Sequence, residues 1–397
     1  MGTEAAFPAP QTPAQTAESW RPSSDEAGRL TIDVAAIAAN YRRLCGMHPA
    51  ARVGVVVKAD AYGLGAAQIA PVLAAAGARD FFVAHLAEAL AVKPFLPADV
   101  TIFVLNGLAP GGEAICAAEK NIIPVLNTPE QARDWYALTV DQSRVLPAAL
   151  QVDTGMSRLG LDEEEFDEVL GWPAFTQKIP IRLLMSHMAC ADVPGARANT
   201  DQIARLERFC ARLPSVPRSL ANSAAAMFLP DAAGDVLRPG LVLYGVDPGT
   251  TGVPHMRPAV SLEARVIQVR DIPAGAGVGY GFDYIAKFPL RTATVSAGYA
   301  DGWPRSLSSR GGVWFYGNRL PILGRVSMDS CVVDVTALLK GSIGPGDRVE
   351  LIGPNQSVSD LAMLIGTTPH EILTGLGRRF SKVYANRPSM GGEEMQS

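Results

Sequence analysis

From Leu30 onward the chain alternates short, continuous apolar runs with longer stretches of helical character, the pattern of strands buried on both faces and joined by helices. A strand over 28–32 and a helix over 34–44, with Asp33 as its N-cap, open the series. Apolar runs follow at 53–58, 81–84, 102–106, 122–127, 148–153, 181–187, 219–223 and 236–244, with helical stretches between most of them. Eight such strands over roughly two hundred residues predict an α/β fold with a (β/α)8 TIM barrel across residues 29–255. An open doubly wound sheet competes with it, but no Gly-x-Gly-x-x-Gly pattern follows any of the runs.

The alternation breaks over 246–258, where Pro248, Gly249, Gly252, Pro254 and Pro258 signal a domain boundary. Beyond it, alternating runs at 262–272, 291–296, 320–335 and 348–352 predict a mainly β C-terminal domain over 256–397, with short helices at 358–365 and 370–375. Residues 1–28, rich in Pro, Ala, Thr, Gln and Ser, show no periodic apolar face and are expected to be a disordered N-terminal extension. The acidic stretch 162–168 suits an exposed helix start.

Composition narrows the class. The 397 residues are 48% hydrophobic and 19% charged, with a net charge of -4 and no basic cluster, which argues for a soluble globular protein without a nucleic-acid partner. No run has the form of a secretory signal or the length to cross a bilayer, so no membrane partner is expected. Cys45, Cys116, Cys190, Cys210 and Cys331 are odd in number and scattered, without metal-type pairing. They predict reduced thiols in a cytoplasmic protein and no metal site.

The chemistry gathers at the strand ends. The run that begins at Val53 stops at Lys58, and Gly63 and Gly65 then allow the backbone to turn into an Ala-rich helix. In α/β barrels the carboxyl ends of strands face the ligand, so a lysine there is chemical more often than one on a helix face. A snorkelling or ion-paired lysine is the bland alternative. A desolvated lysine at that place suits Schiff-base chemistry, because burial frees the amine as a nucleophile. Asp153 to Gly160 closes the fifth run, Ser186-His187 the sixth and Asn222-Ser223 the seventh, and Arg238 to Gly245 lies at the eighth. Singly these are weak, since His187 alone is more often a hydrogen-bonded core histidine and Arg158 can pair with the acids after it. Their agreement at five strand ends makes the case.

Several motifs resemble those of the fold-type III, pyridoxal-phosphate-dependent alanine racemases: Val56-Val-Lys-Ala-Asp-Ala-Tyr-Gly-Leu-Gly65, Asp153 to Gly160, Asn222-Ser223, Arg238-Pro-Gly240, Gly279-Tyr-Gly281, Gly298-Tyr-Ala-Asp-Gly302 and Met328-Asp329. The resemblance spans nearly everything from Leu30 to Tyr384. It implies a barrel, a β domain to which the N-terminal strand belongs, and a head-to-tail homodimer with shared active sites. It further implies that Lys58 holds pyridoxal 5'-phosphate covalently, with Tyr62, Ser223, Gly240 and Leu241 on the phosphate, Asn222 beside Ser223 and Arg238 facing the pyridine nitrogen. Arg158 would lie near the cofactor's phenolic oxygen and the substrate carboxylate, where a planar donor fork suits both. Racemisation needs an acid/base group on each face of the substrate, which the resemblance assigns to Lys58 and to Tyr280 of the partner subunit. A tyrosine near pKa 10 is a poor base at neutral pH, and the resemblance places His187 beside it with Arg238 behind. Tyr299, Met328 and Asp329 would border the entrance and the substrate carboxylate.

Three positions depart from the family's commonest pattern. Gln151 stands where many members carry a carbamylated lysine that holds the arginine, and a neutral amide can accept from Arg158 but offers no ionic bond. Ser327 replaces a frequent cysteine. His370 stands where the family has a tyrosine that touches both phosphate and substrate pocket, which implies either an equivalent phosphate ligand or relaxed selectivity for alanine over serine. The expected function is therefore racemisation of L- and D-alanine, with supply of D-alanine for peptidoglycan. A non-catalytic pyridoxal-phosphate carrier would need no β domain bearing Tyr280, and a decarboxylase of the same fold type would pair the pyridine nitrogen with an acid where Arg238 stands.

Overall fold

The computed structural model describes residues 28–232, 234–248 and 256–386. The extension expected over 1–28 lies outside them except for Gly28, as do Gly249, Gly252 and Pro254 of the boundary run.

Among the described residues a parallel sheet runs in the order Val55–Val56, Asp80–Val83, Thr101–Val104, Ile123–Leu126, Ala148–Gln151, Ile181–Met185 and Arg218–Ser219. An eighth strand closes it into a barrel. Val236–Leu237 pairs in parallel with Arg52–Val53, while Asp235 N donates to Arg218 O and Arg238 N to Ala221 O, both at 2.9 Å, on the other side. The first strand serves its two neighbours through a break at Gly54, where a Cβ would lie 2.6 Å from the Phe82 ring. Closure excludes the open sheet, and each of the eight apolar runs contributes a barrel strand. Their continuous apolar character has a direct cause: Phe81, Phe82, Val104, Val125 and Leu150 have essentially no exposure on either face. Phe82 and Phe103 stack with ring centres 4.8 Å apart.

Two of the runs stop being strands sooner than their apolarity suggests. In 236–244 the strand is Val236–Leu237, and a 3-10 turn, Leu241–Tyr244, follows Arg238-Pro239-Gly240. In 219–223 the backbone leaves the sheet at Leu220, and Asn222 caps the helix Ser223–Phe228 by accepting from Ala225 N at 3.0 Å. Both deviations turn polar residues inward over the barrel mouth.

The C-terminal part is an antiparallel sheet built on one long strand, Val260–Ile272. Its second half pairs with Leu290–Val295 and its first half with Arg348–Ile352, and Cys331–Asp334, Asn318–Leu323 and Gly312–Phe315 complete the ring between those two. The alternating run 320–335 is two strands rather than one, interrupted at 324–330, where Gly324 takes φ 68° and a Cβ would meet Val278 O at 2.6 Å. Gly28–Asp33 joins this sheet, antiparallel to Val260–Ala264 and parallel to Ser381–Ala385. Asp33 then starts the helix Val34–Met47, its Oδ1 accepting from Ala36 N at 2.9 Å. Asp162 likewise caps Glu163–Leu170 in a reciprocal box with Glu165. Two short helices, Val358–Ile365 and Pro369–Gly375, lead to the last strand. The apolar core is continuous through both parts, from Leu30 to Phe380.

Candidate active site

Lys58 follows the barrel strand Val55–Val56 and begins a turn of rare hand. Ala59, Asp60, Ala61 and Tyr62 all take positive φ, between 52° and 59°, in the left-handed region. Such a conformation costs L-residues about 1–2 kcal/mol each. The turn thus starts before Gly63 and Gly65, which the sequence marked as its pivots, and non-glycine residues carry it. Hydrogen bonds hold it: Ala59 N donates to Glu88 Oε1 at 2.7 Å, Gly63 N to Ala59 O at 2.7 Å and Ala66 N to Asp60 Oδ1 at 2.7 Å. From the last strand, Tyr384 Oη donates to Leu64 O at 2.8 Å. The lysine is consequently fixed at the barrel mouth rather than free to follow solvent.

Its surroundings favour the neutral amine. Burial, then the guanidinium of Arg158 and that of Arg238, pull the Lys58 pKa below its usual value, against an opposing pull from Glu88. Among the described residues Lys58 has no ion-pair partner. Arg238 is 4% exposed and donates to the Ser219 hydroxyl and the Ser186 carbonyl, and its Nη2 lies 3.4 Å from His187 Nδ1. Since a guanidinium only donates, His187 Nδ1 is the acceptor and its proton sits on Nε2. Burial, Arg238, Arg158, Lys58 and His370 together push the His187 pKa down to about 3. His187 is therefore a neutral imidazole presenting an N–H.

A second group lies beside the lysine. Ser223 Oγ accepts from Gly240 N at 2.9 Å, so the turn Arg238-Pro239-Gly240 is laid over the start of the helix Ser223–Phe228. Gly240 is required there, because a Cβ would fall 2.1 Å from Tyr62 Oη. Tyr62 is buried against Tyr244 and His370, with ring centres 5.0 and 5.6 Å away. Burial raises its pKa and keeps the hydroxyl a donor. Tyr62, Ser223, Gly240, Leu241 and His370 thus gather at one edge of the mouth, where hydroxyls, an imidazole and backbone N–H groups suit a phosphate.

Arg158 sits on a loop whose shape is set by Asp153, whose Oδ1 accepts from Gly155 N, Met156 N and Ser157 N at 2.8, 3.0 and 3.1 Å. Gln151, buried beneath, donates from Nε2 to Leu159 O at 3.2 Å. It braces the loop backbone and makes no hydrogen bond to the Arg158 side chain.

The remaining sequence-derived residues lie on the β domain. Tyr280 is 72% exposed, Met328 53% and Tyr299 45%. Among the described residues no hydrogen bond or ring contact ties them to Lys58. The loops of Tyr299 and Met328 are bound to each other instead: Tyr299 N donates to Ser327 O at 3.0 Å and Ala300 N to Met328 O at 2.9 Å. Arg379 bridges Asp301, which is fully buried, at 2.9 Å and Asp329 at 2.6 Å. Sequence reasoning left out Glu88, Ser219, Asp301 and Arg379, and named Ser186 at a strand end without the carbonyl contact it makes to Arg238. The one available signal was Asp301, inside the 298–302 motif; the others act only through tertiary contacts.

Comparison with known proteins decides the kinship. The family described as alanine racemase, N-terminal domain matches residues 32–248, and the one described as alanine racemase, C-terminal domain matches 259–384. The chain belongs to the alanine racemase family. Alanine racemase from Brucella canis is 50% identical over 370 residues, covering 90% of this chain and 93% of its own. A catabolic alanine racemase from Agrobacterium fabrum is 48% identical over 357 residues, covering 90% and 92%. Among solved alanine racemase structures, that from Bartonella henselae, with covalently bound pyridoxal phosphate, has a TM-score of 0.86 at 44% identity and covers 90% of this chain and 99% of its own. That from Streptomyces coelicolor has a TM-score of 0.86 at 33% identity, covering 92% and 100%. Membership rests on both halves of the chain, so the alanine racemase kinship includes the β domain that carries Tyr280.

Proposed function

We propose that this chain interconverts L- and D-alanine with pyridoxal 5'-phosphate, using Lys58 and the partner subunit's copy of Tyr280 as the two acid/base groups. The observation that carries this reading is the desolvated Lys58 at the mouth of the barrel, without an ion-pair partner among the described residues and with two guanidinium groups depressing its pKa. The cofactor fits the residues present. Tyr62 Oη, Ser223, Gly240 and Leu241, with His370 beside them and Asn222 fixing the turn, would hold its phosphate in a cradle that a Cβ at Gly240 would fill. Arg238 would face its ring nitrogen and Arg158 its phenolic oxygen.

When bound, the cofactor supplies an electron sink that acidifies the substrate's α-carbon. The chain's residues do the rest. A permanent guanidinium at Arg238, fixed by Ser219 and Ser186, disfavours protonation of the ring nitrogen and so limits side reactions. Arg158 orients the substrate carboxylate. Lys58 Nζ takes or returns the α-proton on one face, and the hydroxyl of Tyr280 serves the other. His187, neutral with its proton on Nε2, offers a hydrogen bond that favours a phenolate. Met328 and Asp329, with Tyr299, would border the carboxylate and the way in.

The second face requires a homodimer with shared sites. Tyr280, Phe282, Phe288, Tyr299 and Met328 are large apolar side chains that are all exposed on the β domain of this chain, which suits burial against a second copy. The reading places the enzyme in the cytoplasm, supplying D-alanine for peptidoglycan. Relatives named catabolic support a role in consuming D-alanine as the second reading. His370, set against Tyr62, supports a relaxed choice between alanine and serine. The direct test is incubation of the purified protein with pyridoxal phosphate and L-alanine in deuterated water. Deuterated D-alanine is expected, and bound cofactor without α-proton exchange would leave the carrier in its place.

A further inference from the structure

We infer that Glu88 is a positioning residue for Lys58: one carboxylate ties the first residue of the left-handed turn to the exit of the neighbouring barrel strand and so fixes the lysine's direction and charge. The inference rests on the reading of Lys58 given above. Glu88 is the third residue of the helix Leu86–Val92, where a glutamate ordinarily reaches back to its own cap. Here it does more. Oε2 accepts from Ala84 N at 2.7 Å and His85 N at 3.3 Å, which are local, whereas Oε1 crosses to Ala59 N at 2.7 Å, on the next strand's turn.

Two features separate this from ordinary capping. The first is the need of Ala59 itself. In a turn of this hand the Val57 carbonyl is taken by Ala61 N, and the Ala59 N–H finds its acceptor in Glu88. The residue adjoining Lys58 is thereby locked at φ 52° by a group from another element. The second is the demand for a carboxylate. Both oxygens accept from N–H groups on opposite sides, and an amide has one oxygen, so glutamine satisfies only one side and presents its own N–H to the other.

The charge matters as well as the bonds. The groups facing Lys58 are Arg158 on the loop after the fifth strand, His187 after the sixth, Arg238 after the eighth and His370 on the helix Pro369–Gly375, all cationic or neutral. Glu88 is the acid that opposes them and favours the ammonium. Removing it leaves the amine free at lower pH.

The test uses full-length protein freed of cofactor, as wild type, Glu88→Gln and Glu88→Ala. Glu113→Gln serves as control, since its Oε2 accepts from Ala109 N at 2.8 Å in a comparable bond away from the lysine. Hydrogen exchange of the peptide containing Ala59, and the pH dependence of Lys58 modification by an amine reagent, are read by mass spectrometry. Glu88→Ala is expected to exchange the Ala59 amide about ten- to a hundred-fold faster, and both variants to shift the modification midpoint to lower pH, with the control unchanged. Faster exchange with an unmoved midpoint would reduce Glu88 to a helix cap, and unchanged exchange would remove it from the turn; either overturns the inference. Neither readout needs cofactor. Failure of wild-type Lys58 to bind pyridoxal phosphate would therefore strike the functional reading alone.

Discussion

Arg238 Nη2 lies 3.4 Å from His187 Nδ1 in a setting where the arginine is 4% exposed and donates to no carboxylate among the described residues. Two cationic side chains would be intolerable at that spacing in low dielectric, and arginine is the one that keeps its proton. Histidine stays neutral. Because the folded pKa of His187, about 3, lies below its unfolded value of 6.5, the associated stability is present above pH 6.5 and is lost as pH falls. The loss is about 1.4 kcal/mol per pH unit down toward the folded value. Urea unfolding between pH 7 and 4 should show a shallower acid dependence in His187→Gln than in wild type, by one proton. Equal slopes would mean the imidazole is not held neutral.

Removal of either base should separate exchange from racemisation. Lys58→Ala is expected to lose turnover by at least about 10²-fold and to lose covalently retained cofactor, seen as a changed absorbance spectrum. Tyr280→Phe should lose racemisation to a similar extent while still exchanging the α-proton of the enantiomer that faces Lys58. Retained racemisation in Tyr280→Phe would point to another group on the second face.

The proposed shared site would make those two variants complementary. In a random mixture of Lys58→Ala and Tyr280→Phe subunits, half the dimers are hybrids, each with one site that is intact and one doubly altered. Unfolding and refolding the pair together should restore about a quarter of wild-type activity. No recovery would place both bases on one subunit.

Gly240→Ala tests the cradle. The added methyl would sit 2.1 Å from Tyr62 Oη, so the tyrosine or the turn must move. Overpacking of this kind costs about 1–3 kcal/mol, and pyridoxal phosphate should dissociate at least about tenfold more readily from the variant while its circular dichroism is unchanged. Fluorescence titration measures this, and wild-type affinity would show that Gly240 does not approach the phosphate.

His370 offers the specificity test. The ratio of kcat/KM for L-alanine to that for L-serine should rise in His370→Tyr, whose longer side chain reaches the substrate pocket as well as Tyr62. A wild type already strict for alanine, and unaltered by the change, would leave His370 as a phosphate ligand only.

The barrel was legible because its strands are buried on both faces, which makes them continuous apolar runs that any register must place inside. For the same reason Lys58 and His187, each ending such a run, with Arg158 just beyond the fifth and Arg238 within the eighth, marked the mouth. The β domain was read less sharply, since alternation continues through a turn as readily as along a strand: 320–335 gave no sign of the interruption that lifts Met328 out of the sheet. What the order of residues cannot encode locally is contact across elements. That Ala59 begins a left-handed turn depends on Glu88, 29 positions on; that Arg238, with no counter-ion among the described residues, is held depends on Ser186 and Ser219; that Arg379 and Lys382 are structural depends on Asp301, Asp329 and Asp60. The chain's residue types determined which polar groups stand at the barrel mouth and roughly where each strand ends. Packing alone decided their orientation and protonation, because both follow from desolvation and from charges brought near by the fold.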